Sequence, residues 1–132
     1  MATANSGATL TIVLVEDNPD TRSTMVTMAR GFGHIVVDFE NAEEALEHLA
    51  AKHADVLVAD VRLPGMSGEV FAAHAREIQP KLGIIFATGS GAFPGFSNDG
   101  TTTVLLRKPF GLQEFERALA SVAPAVQATV GS

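Results

Sequence analysis

A chain of 132 residues with 9 basic and 15 acidic side chains, net charge −6, has room for one domain with a buried core and not for two of ordinary size. No cluster of Lys or Arg stands out, which speaks against direct nucleic-acid binding, and no apolar stretch approaches the roughly 18 to 20 residues of a membrane span. Cysteine is absent, so disulfides, thiolate metal sites and cysteine nucleophiles are excluded and packing alone must hold the fold. Residues 1–8, "MATANSGA", have no basic region followed by an apolar core, unlike the pattern of a signal peptide. They are expected to be a disordered lead to one domain over residues 9–121, with a flexible tail over 122–132 and a cytoplasmic location.

The first element is "LTIVLV", residues 10–15, whose continuous apolar run reads as a strand buried on both faces, as in parallel sheets. It ends in Glu16 and Asp17. Adjacent carboxylates repel each other unless a cation or a proton intervenes, so something positive is expected beside them. Asn18 can cap a helix with Pro19 in its first turn, and Met25, Met28, Ala29 and Phe32 recur at the spacing of a core-facing stripe. Gly31 and Gly33 end that helix, and "HIVVDF" supplies a second strand. Asn41 caps the next helix, with Ala42, Ala45, Leu46 and Leu49 inward and Glu43, Glu44 and Glu47 toward water.

The third strand, "ADVLVAD", residues 54–60, again ends in a carboxylate, Asp60. A turn built from Pro64, Gly65 and Gly68 leads to a helix through Val70, Phe71, His74 and Ile78 that stops near Pro80. "GIIFATG" is a fourth strand, ending at Thr88, and "TVLLRKPF" a fifth, leading to Lys108. The last helix runs from about Gly111 to Ser121 with Leu112, Phe115, Ala118 and Leu119 on one face.

Five βα units with right-handed crossovers give a parallel sheet with helices on both faces. Ligands of such folds bind at the C-terminal strand ends where strand order reverses. Glu16 with Asp17, Asp60, Thr88 and Lys108 all fall there, and only the second strand contributes nothing. Three converging carboxylates suit a hard divalent cation, and Mg²⁺ is favoured because it binds through few carboxylates and keeps several waters. One carboxylate can attack phosphorus to give an aspartyl phosphate while metal and lysine neutralise the transferred oxygens and a hydroxyl completes the cage. Asp60, Lys108 and Thr88 are available in those roles.

The set "VEDNP", "VADVRLPGMSG", "FATG" and "LLRKPF" resembles the receiver domain of two-component response regulators from about Leu10 to Ser121. Each piece alone is weak; all four in order, each at a strand end, are specific. The resemblance implies a (βα)5 doubly wound, flavodoxin-like (CheY-like) fold with strand order 2-1-3-4-5. By position it implies Asp60 as phosphoacceptor, Asp17 as direct metal ligand, Glu16 reaching the metal through water and Arg62 supplying a backbone carbonyl to Mg²⁺. Thr88 matches the switch hydroxyl, Lys108 the phosphoryl-binding ammonium, and Pro109 a proline that commonly follows a cis peptide bond in the family. "GIIFATGSG" is similar to the Pro-Phe-x-Phe-Ala-Thr-Gly motif of the stand-alone receivers called FATGUY, from which Gly83, Ile84 and Ser90 depart. That subgroup implies a sensor histidine kinase of the HWE or a related class as partner; other signalling proteins are further candidates, while the charge and hydropathy readings leave no direct nucleic-acid or membrane partner expected.

Two departures from the family stand out. The aromatic residue usual three positions before the lysine is Leu105 here. The stretch "GSGAFPGFSNDGTTT" holds four glycines and a proline where the family has its fourth helix, and both residue types oppose helix interiors. A short or irregular fourth helix follows, with signalling through ordering of that stretch around Phe93 and Phe96.

Taken singly, each site residue has a plain alternative: Glu16 and Asp17 as a solvated pair, Asp60 as a turn residue, Thr88 as a β-former, Lys108 as a strand-edge charge. Jointly that requires four coincidences at one sheet edge. His34, His48, His53 and His74 show no pairing with carboxylates at metal-ligand spacing and are expected at or near the surface. Two other functions compete with a phosphoryl-accepting receiver. An aspartyl-phosphate phosphatase of the haloacid-dehalogenase type would need a second Asp two residues after the nucleophile, where Arg62 stands; a binding module with a vestigial site would ignore phosphorylation. If the acids crowd one pocket uncompensated, Asp17→Asn and Asp60→Asn should both raise the stability of the metal-free protein.

Overall fold

A computed structural model describes residues 9–63, 65–89, 103–108 and 110–122. Five parallel strands, β1 (Thr11–Val15), β2 (Ile35–Phe39), β3 (Val56–Asp60), β4 (Gly83–Thr88) and β5 (Thr103–Arg107), form one sheet in the order 2-1-3-4-5. Four helices connect or follow them among the described residues: α1 (Pro19–Gly31), α2 (Ala42–Ala51), α3 (Gly68–Ile78) and α4 (Leu112–Val122). Residues 1–8 and 123–132, the stretch 90–102 expected as an irregular fourth helix with Phe93 and Phe96, and Pro64 and Pro109 lie outside the described residues.

The unbroken apolar runs are explained by the two layers. Along β1, Ile12 and Leu14 join Met25, Ala29, Phe115 and Leu119 of α1 and α4 on one face, while Val13 and Val15 join Ala45, Leu49, Phe71 and Ala75 of α2 and α3 on the other. Successive strand residues point to opposite faces, so a strand with helices on both sides needs apolar residues at every position.

The helix starts follow local chemistry. Asn18 Oδ1 accepts from Thr21 N at 3.0 Å, Asn41 Oδ1 from Glu44 N at 2.9 Å and Ser67 Oγ from Val70 N at 3.2 Å, each satisfying a first-turn N–H that has no helical partner. α1 hands over to β2 through Gly33 at φ 93°, in the left-handed region that glycine adopts without a Cβ clash.

Three expectations change. Gly68 is not a turn residue but the buried first residue of α3, where a Cβ would come within 2.9 Å of the Val61 backbone. The connection before it is a small antiparallel ribbon, Arg62–Leu63 against Met66–Ser67. Leu112 does not share the core with Phe115, Ala118 and Leu119: in the first turn of α4 it borders a groove lined by Met28 and Phe32 and stays 57% exposed. Finally, α4 reaches one residue into the stretch expected as tail, because Val122 is buried against Gly83.

β1 lies between β2 and β3, and the connection leaving β1 through α1 goes to β2 while the one leaving β3 through α3 goes to β4, in the opposite direction. The C-terminal ends of β1 and β3 therefore flank the reversal point where such sheets bind ligands.

Candidate functional site

Glu16 immediately follows β1, and its N–H donates to Phe39 O at 3.1 Å, extending the β1–β2 ladder by one bond. Its side chain is buried, 2% exposed, with both oxygens satisfied: Oε2 accepts from Asn18 N at 3.1 Å and Oε1 from Lys108 Nζ at 2.9 Å. Asp17, one residue on, is exposed. Asp60 ends β3, where its Oδ1 accepts from Arg62 N at 2.9 Å and its Oδ2 from Lys108 Nζ at 2.7 Å. One oxygen of each of Glu16, Asp17 and Asp60 lies within 4.8 Å of the others.

Lys108 follows β5 and is held by its own N–H, which donates to Thr88 O at 2.7 Å. The same bond ties Lys108 to the end of β4, where Thr88 is 3% exposed, and β4 is registered against β3 with Ala87 opposite Asp60. All six site residues, Glu16, Asp17, Asp60, Arg62, Thr88 and Lys108, thus come from one sheet edge. The positive charge expected beside the acidic pair is the Lys108 ammonium, shared between two carboxylates.

Burial by itself lowers the Lys108 pKa, but the hydrogen bonds and charges of Asp60 and Glu16 outweigh it and the net direction is up. The ammonium is therefore charged throughout the neutral range. It neutralises only part of the cluster: three carboxylates gather at the edge and the ammonium bonds two of them, Glu16 and Asp60. The remaining donors are hard oxygens on one edge, of the kind that hold Mg²⁺ through a few carboxylates while leaving it several waters. The residues present fit that ion.

Two groups at the site escaped the reading of the sequence. Asn18 caps α1 as expected, yet its N–H also orients Glu16. Arg22 reaches back from α1 to donate from Nη1 to Glu16 O at 2.8 Å, with its Nε 3.2 Å from Asp38 Oδ2. β2 thus does contribute, through Asp38. The histidines lie elsewhere, and two of them do meet carboxylates: His53 Nε2 is 2.9 Å from Asp55 Oδ1, and His74 Nδ1 3.4 Å from Glu77 Oε1. His34 Nδ1 accepts from Leu10 N at 3.1 Å. None of them joins the acidic cluster. Leu105 is half-buried, paired in register with Phe86.

Known proteins resemble this chain in sequence and fold. The model of the response regulator receiver domain matches residues 12–120. The response regulator receiver protein CpdR of Brucella abortus is 34% identical over 105 residues, 78% of this chain and 88% of that protein. The transcriptional regulatory protein DctD of Rhizobium meliloti is 34% identical over 83 residues, 63% of this chain but 18% of DctD. Among solved structures, a response regulator receiver protein from Sinorhizobium medicae superimposes with a TM-score of 0.79 at 26% identity, covering 91% of this chain and 98% of that one. The receiver domain of the sensor histidine kinase PA1611 of Pseudomonas aeruginosa, solved with magnesium in its active-site cleft, has a TM-score of 0.72 at 28% identity, covering 85% and 95%. Sheet order, acidic edge and family match agree, and the chain belongs to the response regulator receiver domains of two-component systems.

Proposed function

We propose that Asp60 accepts a phosphoryl group from the phosphohistidine of a sensor histidine kinase in a Mg²⁺-dependent reaction, and that the altered surface is the signal. The observation that carries this reading is the single ammonium of Lys108, 2.7 Å from Asp60 Oδ2 and 2.9 Å from Glu16 Oε1, at an edge that also holds Asp17 and Thr88. An Asp60 oxygen attacks phosphorus, the phosphorus–nitrogen bond breaks, and the imidazole leaves. The Arg62 N–H holds the other Asp60 oxygen, so the nucleophile is oriented before the donor arrives.

Lys108 can follow its charge. As Asp60 becomes an acyl phosphate, the ammonium exchanges a carboxylate oxygen for a phosphoryl oxygen and keeps Glu16 as its anchor. Thr88 would offer its hydroxyl to a further phosphoryl oxygen. Asp17 and Asp60, the Arg62 carbonyl, and Glu16 through water would hold the metal, whose charge offsets that of the transferred oxygens.

Receiver domains interact with sensor histidine kinases and act as signalling proteins rather than as enzymes turning over a separate product. The "FATG" of β4 supports the finer reading of a stand-alone FATGUY receiver with an HWE-class or related kinase.

Intact mass after incubation with acetyl phosphate and the cognate kinase, each with Mg²⁺ or EDTA, tests the chemistry. The expected result is one phosphoryl adduct that needs Mg²⁺ and disappears in Asp60→Asn. An adduct of equal yield in Asp60→Asn overturns the assignment.

A further inference from the structure

We infer that Arg22 and Asp38 form a positioning pair for the metal site, setting Mg²⁺ affinity from outside the ligand shell; this rests on the Mg²⁺ reading above. Asp17 is exposed, and among the described residues its side chain has no hydrogen bond or ion pair of its own. Its position must come from its backbone. The peptide joining Glu16 to Asp17 is planar, so whatever fixes the Glu16 carbonyl also fixes the N–H and Cα of Asp17. Arg22 Nη1 holds that carbonyl at 2.8 Å, while Phe39 O holds the Glu16 N–H at 3.1 Å. Glu16 is thereby clamped on both sides of its Cα, from α1 and from β2, just before the chain turns into α1.

Asp38 has the second part. Its Oδ2 lies 3.2 Å from Arg22 Nε, which aims the planar guanidinium and leaves Nη1 on the carbonyl. It also compensates the arginine's charge. Groups that orient ligands without touching the ion commonly change metal affinity by about 10- to 100-fold when removed.

The test is calorimetric titration of Mg²⁺ into the wild type, Arg22→Ala, Arg22→Lys, Asp38→Asn and Asp17→Asn, well below each melting temperature, paired with the acetyl phosphate labelling rate as a function of Mg²⁺. Arg22→Ala should weaken Mg²⁺ binding about tenfold and move the half-saturating Mg²⁺ for labelling equally, while the rate at saturating Mg²⁺ stays the same. Arg22→Lys, with one donor nitrogen instead of a planar fork, should fall between, and Asp38→Asn should weaken binding with Arg22 intact. A lower melting temperature in the Arg22 and Asp38 variants with unchanged Mg²⁺ affinity would make the pair merely structural and overturn the inference. Wild-type affinity in Asp17→Asn would instead remove the metal site itself, and the inference with it.

Discussion

Two aspartates bracket β3, Asp55 just before it and Asp60 at its end, and they have opposite fates. Asp55 Oδ2 accepts from Thr11 N at 2.9 Å, and Asp55 N donates back to Thr11 O at 2.8 Å; His53 takes the remaining oxygen. Asp60 also has both oxygens occupied, but one partner is the ammonium of Lys108. A backbone N–H in a sheet cannot leave its acceptor without breaking the strand, whereas an ammonium on a four-carbon stem can exchange one oxygen for another. What sets Asp60 apart from Asp55 is an exchangeable ammonium shared with a second carboxylate beside the Glu16 and Asp17 acids, and that combination lies at the C-terminal edge of the sheet. Space alone does not mark it: a groove of about 690 Å³ lined by Leu49, Ile78 and Leu82 lies toward Asp55, at the other end.

Removing the exchangeable partner should have the largest effect. Lys108→Ala leaves the 2% exposed Glu16 carboxylate without its cation, a loss of about 2–3 kcal/mol for a charged hydrogen bond in a buried setting, read as the urea midpoint. Mg²⁺ should restore more stability to this variant than it adds to the wild type, since it supplies the missing charge; equal Mg²⁺ effects on both would break the comparison. Asp55→Ala should cost about 1–2 kcal/mol, the price of leaving Thr11 N without its acceptor, with acetyl phosphate labelling at the wild-type rate. Loss of labelling in a folded Asp55→Ala protein would show that the two ends of β3 are not independent.

Smaller effects sharpen the contrast within the acidic edge. Uncompensated acids would let Asp17→Asn and Asp60→Asn stabilise the metal-free protein alike, but the structure separates them. Asp17→Asn removes a charge that Lys108 does not neutralise and should raise the metal-free melting temperature slightly; Asp60→Asn also deprives Lys108 of a partner and should gain less, which thermal unfolding in EDTA can resolve. Smallest is a pH effect away from the site. Burial lowers the His34 pKa, with the charges of Asp55 and Glu116 opposing it, and Nδ1 must stay unprotonated to accept from Leu10 N. A base with a depressed folded-state pKa stabilises above its unfolded value, so stability should fall as pH drops below about 6.5, and His34→Gln should flatten that slope.

The fold was legible because its signals are local. The two-faced apolar run of β1, the caps Asn18 and Asn41, and the acids closing β1 and β3 can each be read within a few residues. Lys108 was recognisable as a site residue by type and position, but its shared bond with Glu16 spans 92 residues and depends on the register that ties Lys108 N to Thr88 O. Arg22 was missed for a different reason: helical spacing assigns it a face, not the backward reach that carries its guanidinium to Glu16 O. Leu112 shows the limit of periodicity, since it continues the stripe of α4 into a turn the sheet no longer covers.

The most direct measurement locates the phosphoryl group. Borohydride reduction converts an aspartyl phosphate to homoserine, and peptide mapping after labelling with Mg²⁺ then distinguishes Asp60 from Asp17, Asp38 and Asp55 in one experiment. Homoserine at position 60 alone is expected if the exchangeable ammonium and the acids beside it decide which carboxylate reacts. Homoserine at position 55, which has no lysine ammonium among its partners, would contradict that.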